Sequence, residues 1–164
     1  MKNQRDWYRL TAFILLPSAA GLLGVGTGLA KWATVSHSHD TSARSESLQA
    51  AREATVAMLS YTAATVDRDL AAARERLTGK FLDDYTRLVS SQVIPSAKAK
   101  QISAAAQVPA IASVSATPSH AVALVFVDQT VAMANQAPAT TASSIRVTLD
   151  KIDGRWLVSG FDPV

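Results

Sequence analysis

SSIRVTLDKIDGRWLVSGF, residues 143–161, is the stretch that decides the fold. Ile145, Val147 and Leu149 fall on one side of an extended chain, and Arg146, Thr148 and Asp150 on the other. Asp153-Gly154 is a two-residue hairpin signal, because both turn positions need a positive φ. Arg155 to Phe161 then returns as the last strand. An antiparallel pair with one apolar face needs a second layer to cover it.

The residues upstream extend the sheet. His120 to Met133 (HAVALVFVDQTVAM) is apolar on both strand faces at Ala121–Val127, which predicts a central strand covered on both sides. Val108 to Ala116 is rich in β-branched and small residues and lies between Pro109 and Pro118. Asn135–Thr141, with Pro138, reads as the loop between the long strands.

Earlier in the chain the period changes to that of a helix. Leu48, Ala51, Thr55, Met58, Leu59, Thr62 and Val66 recur at three- and four-residue spacing, with Ser45 or Ser47 as the cap. Asp67 or Asp69 is placed to cap a second helix, Leu70 to Leu77, with Gly79 at its end. Phe81, Tyr85, Leu88 and Val89 form one apolar stripe on a third helix, which Pro95 interrupts. The order is helices first, then a meander of about four antiparallel strands. The fold class is therefore α+β, with helices packed on one face of a curved sheet.

Residues 10–30, LTAFILLPSAAGLLGVGTGLA, carry no charge and match a bilayer's hydrocarbon thickness as a helix. The length favours a retained span over a cleaved signal peptide. Lys2, Arg5 and Arg9 precede it, so residues 1–9 are expected in the cytoplasm and the rest on the far side of a plasma membrane crossed once. Trp7, Tyr8 and Trp32 bracket the span as interfacial aromatics would. Gly24 and Gly28 have the spacing of a helix-pairing seam. Residues 31–46 read as a polar linker, and residues 47–164 as the extracytoplasmic domain.

The net charge of +3 is small, and no basic cluster with interleaved aromatics argues for nucleic-acid binding. The absence of cysteine excludes disulfides, thiolate metal sites and cysteine nucleophiles.

Residues Ser144 to Val164 resemble the end of the actinobacterial Mce-associated membrane proteins, whose pattern is V-x-L-x-K-x-D-G-x-W-L-I-x-x-F-x-P-V. Ala123–Thr130 resembles the family's V-x-V-F-V-[DN]-Q-T strand, and Ala64–Tyr85 its helical region. Gly160 stands where many relatives carry Asp or another polar residue. The resemblance implies an NTF2-like or VirB8-like cone, with three helices wrapped against an antiparallel sheet. It also implies a non-enzymatic accessory role in an Mce-type lipid or sterol import complex. The implied partners are the membrane and Mce transporter subunits or other Mce-associated proteins, with no cofactor.

Three sets of residues are candidates for function. Arg146, Thr148 and Asp150, on the polar side of their strand, are candidates for a partner surface. Val122, Leu124, Phe126 and Trp156 are candidates for lining an apolar cavity of several hundred Å3, which a lipid carrier would need. An isomerase- or dehydratase-type enzyme would instead need an ionisable residue inside the cone. Asp128 alone ends a strongly apolar strand, and a lone carboxylate is more often a surface residue than a catalyst. His37, His39 and Asp40 have too few fixed ligands for a structural metal site, and His120 is expected at a strand start, facing solvent. A VirB8-like secretion subunit is an analogy at the level of fold.

Overall fold

The computed structural model describes residues 41–134 and 136–164. The apolar stretch 10–30 and the His37–His39 pair lie outside them. Within the described residues no helix is long and apolar enough to cross a membrane.

The helical layer comes first. Residues 41–59 form α1. It is followed by α2 (Val66–Arg74) and α3 (Gly79–Leu88). A π-helical turn, Val89–Val93, joins α3 to α4 (Ile94–Lys100). The wide turn accommodates Pro95, which has no N–H and whose ring would crowd the carbonyl four residues back. Ser90 and Ser91 donate their hydroxyls to the Thr86 and Arg87 carbonyls, each at 2.7 Å. Gln101, in the left-handed conformation with φ 52°, ends α4.

The sheet follows as β1 (Ser103–Ala116), β2 (His120–Ala132), β3 (Ala139–Ile152) and β4 (Arg155–Pro163). Its order is β1-β2-β3-β4, antiparallel throughout. Asp153 and Gly154, with φ of 49° and 78°, make the β3–β4 turn. Their doubly positive geometry is the one that matches strand twist. Pro109 sits at a register shift in the edge strand β1, where a missing N–H costs no ladder bond.

Both edges of the sheet are clasped by the joints between helices. Tyr61 and Ala104 exchange backbone bonds of 2.8 Å at the β1 edge. At the β4 edge Val158 donates to the Arg76 carbonyl and accepts from the Thr78 N–H, both at 2.9 Å.

The core lies between the helices and one face of the sheet. Ala123, Val125 and Val127 of β2, Val147 and Leu149 of β3, and Val158 of β4 are at most 2% exposed. Ala51, Ala54 and Met58 of α1 and Ala73 of α2 pack onto them. A second cluster, Val66, Leu70, Val89 and Ala97, joins α2 to the α3–α4 segment.

Three expectations are corrected here. Residues 41–46, read as linker, are helical, and Ser45 and Ser47 are inside α1 rather than at its cap. Their hydroxyls bond back to the Ser42 and Arg44 carbonyls. The helix runs upstream because Ala43 and Ser47, too small to register as an apolar stripe, are buried there. Next, α2 starts at Val66, and Asp67 and Asp69 occupy its first turn, where carboxylates suit the helix dipole. Asp69 accepts from Thr65 of the preceding turn. Last, Gly79 opens α3 with φ +60°, a conformation that disfavours any side chain.

Candidate functional site

Alternation along β2 sends its two apolar sets to opposite faces of the sheet. Ala121, Ala123, Val125 and Val127 are buried under the helices. Val122, Leu124 and Phe126 project from the other face, which no helix covers among the described residues, and Phe126 is 41% exposed. The strand expected to be covered on both sides is covered on one.

The register sets what stands beside this ridge. On β1 its neighbours are Ser115, Ala112 and Ala110, and on β3 they are Thr148, Arg146 and Ser144. Three larger apolar side chains therefore rise between two rows dominated by smaller ones, with Arg146 the one long neighbour. Arg146 lies in register between Leu124 and Asp162, yet enters no ion pair among the described residues. Asp128 is exposed at one end of the ridge.

At the other end His120 Nδ1 lies 2.7 Å from Asp150 Oδ1. A hydrogen bond with Ser159, and then the one with His120, holds the Asp150 carboxyl below the usual carboxylate range. The partner-surface candidates Arg146, Thr148 and Asp150 thus share one face with Val122, Leu124 and Phe126. Gly160 belongs to the same face. A Cβ there would meet Thr148 Cβ and Oγ1 at 3.3 Å, so Thr148 would have to give way for any side chain.

Trp156 does not join them. It pairs with Lys151, which shares the helix-covered face with Leu149, and it packs against the core. The four cavity candidates therefore line no common space. Trp156 Nε1 donates to Glu46 Oε2 at 3.2 Å, and Lys151 Nζ donates to the same oxygen at 2.7 Å. The Lys151 ammonium stands 5.4 Å from the Trp156 ring centroid. These bonds hold the Glu46 carboxyl below its ordinary value, the Lys151 bond most of all. The trio escaped sequence reasoning because its members lie 105 and 110 residues apart.

The side chains between helices and sheet form one apolar cluster. Ser47 and Thr55 are the buried polar residues among those described, and neither titrates. Tyr85 is half-buried, and its hydroxyl donates to the Met58 carbonyl at 3.3 Å. Burial pushes its phenol well above the ordinary range. Among the described residues no three His, Asp or Glu side chains gather as metal ligands would.

No protein-family model matches the chain. It is 52% identical over 159 residues to the outer membrane protein Rv1973 of Mycobacterium tuberculosis H37Rv, covering 97% of this chain and 99% of that protein. Its fold is similar to an IcmL-like type IV secretion system protein of Legionella pneumophila (TM-score 0.63, 12% identity, 74% of this chain and 91% of that one). It is also similar to the VirB8 protein of Agrobacterium tumefaciens (TM-score 0.57, 14% identity, 71% and 88%). Three helical segments on a four-stranded antiparallel sheet are thus an NTF2-like, VirB8-like α+β fold. The identity to Rv1973 extends over nearly the whole of both chains, and on that ground the protein belongs to the family of this mycobacterial outer membrane protein.

Proposed function

We propose that this protein is a non-enzymatic accessory membrane protein that supports the assembly or stability of an Mce-type lipid or sterol import complex. In this reading residues 10–30 cross the plasma membrane once, the N-terminus is cytoplasmic, and the folded domain stands on the extracytoplasmic side. The name of its 52%-identical relative, an outer membrane protein, supports a membrane setting. The C-terminal resemblance to Mce-associated proteins supports the choice of complex.

The observation that carries the binding role is the uncovered sheet face. The ridge Val122–Leu124–Phe126 is apolar and partly exposed, and Arg146 beside it enters no ion pair among the described residues. Burying side chains of this size contributes roughly 1.5–3 kcal/mol each when they go from fully exposed to fully covered. The proposed occupant is a protein subunit in the same membrane, presenting an apolar strip and a carboxylate that meets Arg146. Tethering both partners in one membrane raises their effective concentration, so a modest interface suffices. A lipid carrier would need an open cone, whereas here Val125, Val147, Leu149 and Val158 are fully buried in contact with the helices.

The test is affinity purification of the tagged full-length protein from its native membranes in mild detergent, with residues 1–40 alone as control. Recovery of Mce-type subunits above the control, lost in Leu124→Glu and Arg146→Glu, is the expected result. Recovery of bound lipid with no protein partner would favour the carrier. Equal recovery by wild type and both variants would remove the sheet face from the interaction.

A further inference from the structure

The hold on α1 is uneven along its length. Its second half is fixed many times over. Arg52 donates to the Val108 carbonyl, and Glu53 pairs with Arg76 at 3.0 Å. Gln129 Nε2 donates to the Leu59 carbonyl at 3.0 Å, and Tyr85 to that of Met58. Ala51, Ala54, Thr55 and Met58 are buried along the same half.

From Ser42 to Leu48 the picture differs. The fully buried residues there are Ala43 and Ser47, which remove little apolar surface from water, and at the end of the stretch Leu48 is half-buried against the core. The hydroxyls of Ser45 and Ser47 are spent on α1's own carbonyls. In this stretch Glu46 makes the side-chain bonds to the sheet. One oxygen, Oε2, accepts from Lys151 on β3 and from Trp156 on β4.

We infer that Glu46 is a latch: it holds the first turns of α1 on the β3–β4 hairpin, and its release frees those turns while the rest of the domain stays folded. Bonds to an ionised acceptor are stronger than neutral ones, and here two converge on one atom. Release exposes one edge of the Trp156 ring, together with Ala43 and Ser47, and leaves the Met58 end of α1 in place. The device is independent of the partner assigned to the sheet face.

The experiment is hydrogen exchange by mass spectrometry on the full-length protein in detergent micelles. The proteins compared are the wild type, Glu46→Gln, Glu46→Ala and Lys151→Met. The expected result is exchange roughly tenfold faster in residues 43–48 of Glu46→Ala, with residues 51–58 and β3 unchanged, as a local opening requires. Glu46→Gln keeps an acceptor oxygen but loses its charge, and Lys151→Met keeps the Trp156 bond alone, so both should fall between. Unchanged exchange in all three variants overturns the latch. A uniform rise through α1 and the sheet overturns it too, because Glu46 would then contribute to global stability alone.

Discussion

Val125 and Phe126 are consecutive residues of β2, yet Val125 is completely buried under the helices and Phe126 is 41% exposed on the bare face of the sheet. The step between them separates what holds the domain together from what it can offer a partner. Val125→Ala should cost about 2 kcal/mol, through lost burial and a partly unfilled cavity. Phe126→Ser should stay within about 0.5 kcal/mol, as surface changes usually do. Chemical denaturation of the full chain in detergent, followed by tryptophan fluorescence, measures both. Equal costs would place Phe126 inside a contact that the bare face does not have.

Thr55 is 0% exposed, and its hydroxyl has no hydrogen-bond partner among the described residues. Such a group carries a desolvation cost that nothing offsets. Thr55→Val keeps the shape and removes that cost, so a gain of about 1 kcal/mol is expected in the same measurement. A loss would mean that the hydroxyl finds a partner in solution.

Asp150 gives a prediction in pH. Its folded carboxyl is held below the ordinary range, first by Ser159 and then by His120. A depressed carboxylate contributes stability that is fully present above its unfolded pKa and is lost as pH falls through the folded value. Carbon NMR of the Asp150 carboxyl should therefore give a low midpoint. Ser159→Ala should raise that midpoint, and by more than His120→Gln does. A midpoint at the ordinary aspartate value, unmoved by Ser159→Ala, would refute the bond. Because the side chain is 41% exposed, solvent screening keeps the associated stability small.

The strands were largely legible because alternation at Ile145–Leu149 and the Asp153-Gly154 turn are local signals. The start of α1 was not, since Thr41, Ser42, Ala43 and Ser45 show neither charge pattern nor apolar period. The bonds that Lys151 and Trp156 donate to Glu46 hold this part of the helix on the sheet. The beginning of β1 was equally hidden. Ala104–Ala106 has little strand propensity, and those residues are extended because Tyr61 and Ser60 bond their edge. The apolar run of β2 fits two covered faces, and an apolar face left exposed produces the same pattern. Trp156 was grouped with Phe126 because composition cannot tell faces apart across strands. Its face is set by the hairpin register that pairs it with Lys151.

The clasps at Ala104 and Val158 have a consequence for crowding. An open strand edge recruits further strands, and chains held close together are the most exposed to such growth. Here one outer strand is stitched at Tyr61 and the other at Arg76 and Thr78. The free part of β1 is broken by register shifts after Gln107 and after Ser113. Stitched and broken in this way, the edges of neighbouring copies resist joining into one sheet.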